Sequence, residues 1–481
     1  MNEIGFVDTT LRDGNQSLWN GEMTTAMMLP IAPIMDEAGF ECLDFMALIS
    51  FDWCVRNLQE NPWERIRLMA KAMPNTPLMT GGVLGGFGAF PDAATQLFMK
   101  CNADAGMKLI RVNEPYHDIG RITKFIKWSQ SAGLTTVVAL IYSYSPVHTD
   151  EYYAKKALEI AKAGADRIFI KDVDGLLTPE RTQTLVPAIL KSIDGIPLEL
   201  HAHCTTGIAP LVCLEAIKLG INTVHTAIPP LANGSSQPSV ENILKNTRRL
   251  GFSARLDEKA IAAIAEHFND IAKRESRPVG SPVEYDLFQY EHQLPGGMVS
   301  NYRFELAKRG LEHRLGDLLK EIAVIRKELG YPIMITPLSQ YLGVQAILNI
   351  TGGGRYETVT DEIIKYVLGR YGELTAPVDK NIMKRIMSLP RTKELANWET
   401  PQPSLKQLRQ EFGSKLSDEE LLLHILASNH RAVDEVLAAG PMKTEYPSEG
   451  KPVMALIREL TRRKDTAYIH IRKGDFSLTL Q

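Results

Sequence analysis

Cysteine is scarce: Cys42, Cys54, Cys101, Cys204 and Cys213 make five in all, and no Cys-x-x-Cys pair occurs among them. An odd, scattered set excludes a disulfide framework and fits a reducing compartment, so these thiols read as small buried apolar groups. A run of about 18 apolar residues, the length a membrane-spanning helix needs, is missing as well. Met1 to Val7 also lacks the basic stretch and apolar core of a leader. The expectation is a cytoplasmic, soluble protein with no membrane insertion. Net charge is nearly absent too, because 54 Lys and Arg against 57 Asp and Glu leave −3. Without a basic excess, nucleic acid is not called for as a partner.

What is present is an ordinary globular composition of 481 residues, 44% apolar and 23% charged, with material for at least one large core. At about 150 residues per domain three domains fit, but a barrel absorbs about 250 alone, which makes two equally compatible. Short apolar, β-rich runs recur through the first half, each followed by a turn and a segment of helical periodicity. The strands are expected at Ile4 to Thr9, Cys42 to Ala47, Leu78 to Val83, Lys108 to Asn113, Thr135 to Tyr142, Arg167 to Asp172, Leu198 to His203 and Thr223 to Pro229. Eight βα units predict an α/β fold, a (β/α)8 TIM barrel. Gly39 after Asp36-Glu37-Ala38 and Gly164 after Lys162-Ala163 suit helix ends. A doubly wound open sheet is the alternative. Its G-x-G-x-x-G turn is absent, since Asp8-Thr9-Thr10-Leu11-Arg12-Asp13 follows the first strand instead.

Beyond about residue 255 the alternation stops. Ala260 to Arg274, Arg303 to Leu329, Asp361 to Arg370 and Asp379 to Met387 read as amphipathic helices, with two more in Ser417 to Ala439. Ala467 to Leu480 alternates around Lys473-Gly474-Asp475 like a β-hairpin. The expected division is a barrel over 1–300, a mainly helical domain over 301–465 and a hairpin tail over 466–481.

Reactive groups of such a barrel gather at the carboxyl ends of its strands. There the chain carries Arg12-Asp13 after strand one, Lys171-Asp172-Val173-Asp174 at strand six and His201-Ala202-His203 at strand seven. Alternate strand residues share a face, so both imidazoles point into the mouth. With Asp13 they have the composition of a divalent metal site. A lone His-x-His is more often a hydrogen-bonded core pair, and Asp13 equally suits a helix cap; the strand-end position favours ligands. Lys171 is the odd member, since an ammonium beside a dication is repelled. It is either a lysine paired with Asp172 or Asp174, or it has reacted with carbon dioxide to give an anionic carbamate, and the residues alone leave these two open.

The stretch Asp8-Thr9-Thr10-Leu11-Arg12-Asp13 with Gln16-Ser17-Leu18 resembles the opening motif of the carboxyltransferase domain shared by pyruvate carboxylase, the oxaloacetate decarboxylase α subunit and transcarboxylase 5S. Asn61-Pro62-Trp63-Glu64-Arg65, Ile170-Lys171-Asp172-Val173-Asp174-Gly175-Leu176-Leu177-Thr178-Pro179 and His201-Ala202-His203-Cys204-Thr205-Thr206-Gly207 continue the likeness in family order. So do Ser235-Ser236-Gln237-Pro238, Tyr290-Glu291-His292-Gln293-Leu294-Pro295-Gly296-Gly297-Met298 and Thr336-Pro337-Leu338-Ser339-Gln340, covering about residues 3 to 390. The resemblance implies a divalent metal of the Zn, Mn or Co type held by Asp13, carbamylated Lys171, His201 and His203, with Arg12 and Gln16 lining the acceptor pocket. It also implies that Ser235 stands for the family's catalytic threonine, a proton shuttle whose hydroxyl serine keeps.

Three positions depart from the pattern. The family's carboxylate-clamping arginine at the end of strand three aligns with Thr80, its histidine after Arg-Asp-Ala with Asn15, and its turn after strand four with Asn113-Glu114-Pro115-Tyr116-His117. A hydroxyl does not replace a charge-assisted clamp, which points away from pyruvate as the acceptor unless Arg111 substitutes. Thr80, Asn113, Glu114, Tyr116 and His117 are then the expected substrate-binding positions. No Ala-Met-Lys-Met biotin-attachment sequence occurs, so biotin is expected in trans, on a separate biotin carrier served by a separate biotin carboxylase.

The resulting expectation is a homodimeric carboxyltransferase subunit, with Ser235, Lys171 and Arg12 catalytic, moving carboxylate between carboxybiotin and an enolisable small-molecule carbonyl substrate. The alternative is a biotin-independent decarboxylase or aldol/Claisen-type lyase, against which Lys171 and Cys204-Thr205 argue. A non-catalytic scaffold fits least with the retained set Asp13, Lys171, His201, His203 and Ser235.

Overall fold

The computed structural model describes residues 3–81, 90–308, 310–427, 429–446, 469–473 and 476–480. Gly82 and Val83 of the expected third strand, and Ala467 and the Gly474-Asp475 turn of the expected hairpin, lie outside the described residues. Eight parallel strands close into a barrel in sequence order: β1 (Gly5–Asp8), β2 (Cys42–Ala47), β3 (Leu78–Gly81), β4 (Leu109–Val112), β5 (Thr135–Ile141), β6 (Arg167–Asp172), β7 (Leu198–Ala202) and β8 (Thr223–Thr226). Closure comes from β8 pairing with β1, Gly5 opposite Thr223 through Asp8 opposite Thr226.

Strand periodicity of two sorts each strand's residues into two cores. Val7, Cys42, Met79, Leu109, Val137, Ala139, Ile141 and Phe169 fill the barrel interior, while Phe6, Leu43, Leu78, Ile110, Val138, Ile168, Leu200 and Val224 face the surrounding helices. The parity slips once. The register between β2 and β3 shifts from Asp44 to Met46, and Phe45 and Met46 both join the outer core. Such a bulge re-aims the side chains around it.

A second core lies in the helical region, built on Leu306, Leu318, Ile322, Ile325, Leu342 and Ile364. The single helix expected over Arg303 to Leu329 is instead Gly296–Lys308, a short turn at Glu312–Arg314 and Leu315–Glu328. Gly310, at φ +69°, takes the left-handed conformation that ends a helix. This region is locked to the barrel mouth. Arg326 donates to Ser143 Oγ at 2.9 Å and to the Tyr144 carbonyl at 3.1 Å just past β5. Ile333 and Ile335 insert into the interior cluster beside Val173.

Helices Leu405–Phe412, Asp418–Leu426 and His430–Ala438 return to the barrel, where Leu408, Leu421, Leu422 and Val433 join the outer core. Ile469–Lys473 and Phe476–Leu480 pair antiparallel as the expected hairpin. Among the described residues no helix is long and apolar enough to cross a membrane.

Candidate active site

The chain after β1 winds into a π-helical turn, Thr10–Gly14, with every residue buried. This turn carries Arg12 and Asp13 over the barrel mouth rather than away from it. On β7, His201 and the residue just past the strand, His203, point to the same place. Asp13 Oδ2 lies 3.1 Å from His201 Nε2 and 3.6 Å from His203 Nε2, and the two Nε2 atoms are 3.1 Å apart. One ligand atom from each of the three falls within 4.8 Å of the others, a grouping able to hold a metal ion.

Hydrogen bonding sets the chemistry of these donors. His203 Nδ1 donates to the Ser235 carbonyl at 2.7 Å, which leaves its Nε2 with a lone pair. The Gln237 amide nitrogen sits 3.0 Å from His203 Nε2 and 3.3 Å from His201 Nε2, and its oxygen accepts from Thr9 Oγ1 at 2.7 Å. An amide NH2 so placed donates to two lone pairs. Burial alone would raise the Asp13 carboxyl, but Arg12, then His203 and His201, outweigh it and hold it well below the usual carboxylate range. The triad therefore presents a carboxylate and two imidazole nitrogens, the donor types a divalent cation binds.

Two guanidinium groups flank it. Asp44 Oδ2 accepts from Arg12 Nε at 2.9 Å and also pairs with Arg111, while Arg12 donates to Asp13 Oδ2 at 2.8 Å and to Gln16 Oε1 at 3.1 Å. Lys171 Nζ donates to Asn113 Oδ1 at 3.2 Å and is buried. Burial, then the Arg111 and Arg12 cations, pull its ammonium down to about 7, so a neutral amine is accessible near neutral pH. It pairs with neither expected carboxylate: Asp172 accepts from the Leu176 and Leu177 N–H groups at 2.9 and 2.8 Å, and Asp174 Oδ1 has no hydrogen-bond partner among the described residues. Ser235 is half-buried, and its Oγ donates to the Ser17 carbonyl at 2.9 Å.

Four of the five remaining sequence-derived positions do not join this group. Thr80 has the parity of Leu78, which faces the outer core, and its buried hydroxyl has no partner among the described residues; Gly81 holds the inward position at the end of β3. Glu114 accepts the Tyr116 and Asp118 N–H groups at 2.9 and 2.6 Å and pairs with Arg121 at 2.7 Å. Tyr116 stacks on Tyr371 in the helical core. His117 Nδ1 meets Tyr152 Oη at 2.9 Å and its Nε2 accepts from the Ile141 N–H at 2.9 Å. These contacts splice the strand-four turn to its neighbours. Of the five, only Asn113 reaches Lys171.

Sequence reasoning passed over Asp44, Glu199, His225 and Gln237. The parity of β2, β7 and β8 carries a signal for the first three, because each is a polar residue at an inward position of a strand read as apolar. Gln237 gave none, since its approach to both imidazoles is made by a loop.

A family profile described as a conserved carboxylase domain matches residues 290–431, and one described as HMGL-like matches residues 105–267. The chain is 35% identical over 433 residues to a pyruvate carboxylase subunit of Methanocaldococcus jannaschii, covering 88% of this chain and 76% of that protein. It is 30% identical over 435 residues to the 2-oxoglutarate carboxylase large subunit of Hydrogenobacter thermophilus, covering 88% of this chain and 67% of the relative. In fold it is similar to the carboxyl transferase domain from Rhizobium etli pyruvate carboxylase, solved with pyruvate, at a TM-score of 0.82 and 23% identity over 100% of this chain and 83% of that one. The chain belongs to the carboxyltransferase family of biotin-dependent carboxylases. It is an enzyme of that type, with the (β/α)8 barrel the sequence led us to expect.

Proposed function

We propose that this chain is the carboxyltransferase component of a biotin-dependent system built from several chains, and that Asp13, His201, His203 and a carbamylated Lys171 hold one divalent metal. The observation that carries this reading is the convergence of one carboxylate and two imidazole nitrogens within 4.8 Å, beside a buried lysine whose amine is readily neutral. A neutral amine adds carbon dioxide and releases a proton, giving a carbamate in place of an ammonium that a dication would repel. When bound, the metal supplies a Lewis acid that polarises a carbonyl of the acceptor, easing gain or loss of carboxylate at the adjacent carbon.

The chain's own groups do the rest. Arg12, held by Asp44 and Asp13, presents a fixed cation to the acceptor beside Gln16. Ser235 Oγ carries the proton exchanged when carboxylate moves, its carbonyl at the same time anchoring His203. Biotin arrives on a separate carrier, charged by a separate biotin carboxylase, and the chain works as a cytoplasmic homodimer with its site in the barrel of residues 1–300, a helical domain over 301–465 and the tail over 466–481.

The acceptor we favour is an enolisable carbonyl compound other than pyruvate. Both guanidinium groups at the mouth, Arg12 and Arg111, are already paired with Asp44, and the inward position at the end of β3 is a glycine. Arg12 is held on Asp44, Asp13 and Gln16, and Arg111 shares the same Asp44 oxygen, so a small carboxylate would have to compete with Asp44 for either cation. The test is carboxyl transfer from carboxybiotin to pyruvate, and decarboxylation of oxaloacetate, assayed with metal content on the same preparation. Efficient turnover of either compound overturns the substrate reading, and absence of metal overturns the site.

A further inference from the structure

Behind His201 the barrel interior holds a line of hydrogen-bonded side chains that runs down towards its amino-terminal end. His201 Nδ1 lies 3.1 Å from His225 Nδ1 on β8, His225 Nε2 lies 2.9 Å from Glu199 Oε2 on β7, and Glu199 Oε1 pairs with Arg167 at 3.2 Å on β6. His201, His225 and Glu199 are fully buried, and Phe169 stacks on the His225 ring with centroids 5.5 Å apart and planes 16° off parallel.

The order of protons along the line follows from one end. A carboxylate paired with Arg167 only accepts, so the proton facing it must sit on His225 Nε2. With one proton on the ring, His225 keeps its lone pair at Nδ1, and the 3.1 Å contact is then a hydrogen bond donated by His201 Nδ1. That leaves the lone pair of His201 on Nε2, towards Asp13 and His203. A metal-ligating histidine commonly donates its second N–H to a fixed acceptor. Here the acceptor is a second imidazole whose own tautomer is dictated by a carboxylate.

We propose that Glu199 and His225 are positioning residues that act in series to set the His201 tautomer, making Nε2 the ligand atom. The proposal rests on the metal reading above and adds two residues to it. Reversed, the line would put an N–H on His201 Nε2, aimed at Asp13, and the third ligand would be lost to an ordinary hydrogen bond.

The test is titration of metal-depleted protein with Co2+ against a competing chelator, followed by the cobalt absorption spectrum, with the melting temperature of the metal-free protein read in parallel. His225→Phe keeps the stack on Phe169 and removes the acceptor. It should weaken Co2+ binding by about 10–100-fold. His225→Asn, whose amide oxygen can stand where Nδ1 stood, should recover most of that loss and the wild-type spectrum. Glu199→Gln, close in shape and free of the folding risk of an unpaired buried carboxylate, should weaken binding by about tenfold, because an amide no longer dictates which His225 nitrogen is protonated.

Wild-type affinity in His225→Phe, or equal weakness in His225→Phe and His225→Asn, overturns the relay while leaving the metal reading intact. A wild-type protein that takes up no Co2+ overturns both.

Discussion

Gly81 stands beside Arg111, its register partner on the neighbouring strand: a side-chain carbon added at residue 81 would stand 3.0 Å from the Arg111 guanidinium and 2.9 Å from Ala47. The cation at this corner comes from β4, and the end of β3 makes room for it. An arginine introduced at residue 80 would enter the layer between barrel and helices, where Thr80 is fully buried. Thr80→Arg should therefore destabilise the fold by about 3–5 kcal/mol through an unpaired buried charge, without creating activity towards pyruvate. Thermal unfolding and the pyruvate assay check this; a stable Thr80→Arg protein that gains turnover would place the side chain inward after all.

His201→Ala and His203→Ala each remove one of three converging donors. Metal content of the purified protein should fall from about one per chain to a small fraction, and activity with it. Elemental analysis decides the matter: full occupancy in the double variant removes the site assignment.

Carbamylation of Lys171 should be visible directly. Protein equilibrated with 13C-enriched bicarbonate is expected to show a carbamate carbon resonance that Lys171→Ala lacks. A bare amine in an experimental map at full metal occupancy contradicts it.

Ser235→Ala should lower kcat by about a hundred-fold or more while KM changes little, because a proton carrier acts in the transition state rather than in binding. Steady-state kinetics separate the two effects. Unchanged kcat would take the proton from Ser235, and the neighbouring Ser236 is a poor replacement, being fully buried with its Oγ turned to Gln237 at 3.3 Å.

Stability should fall on acidification, through groups remote from the metal triad. Burial, then Lys156, lowers His117 to about 3, and burial, then Arg326, does the same for His148. Unfolded, both would bind a proton near pH 6.5, so below that pH the unfolded state holds more protons than the native one and stability drops as pH falls towards about 3. Each contributes at most about 1.4 kcal/mol per pH unit. His117→Asn should flatten the dependence of the melting temperature between pH 6.5 and 4 relative to wild type; an unchanged slope would show that His117 is not protected.

The eight strands, the break into helices and the shared face of His201 and His203 were legible in the chain because they are local. A strand's two-residue period decides which side chains point together without knowing what lies opposite. Motif order likewise carried the family. Position in a motif did not carry orientation: Thr80, aligned with an inward arginine, points out, since parity runs from Met79 and a shift of one residue exchanges the faces. Nor could the chain tell that Glu114, Tyr116 and His117 are consumed in holding a turn, because their partners Arg121, Tyr371 and Tyr152 come from other elements. The pairing of Arg12 and Arg111 on Asp44 and the line from Arg167 to His201 exist only once separate strands lie side by side, and the meeting of Asp13 with His201 and His203 only once β8 closes on β1. Barrel closure brings inward residues of separate strands within hydrogen-bond reach, and that distance is set by strand tilt and register rather than by spacing along the chain.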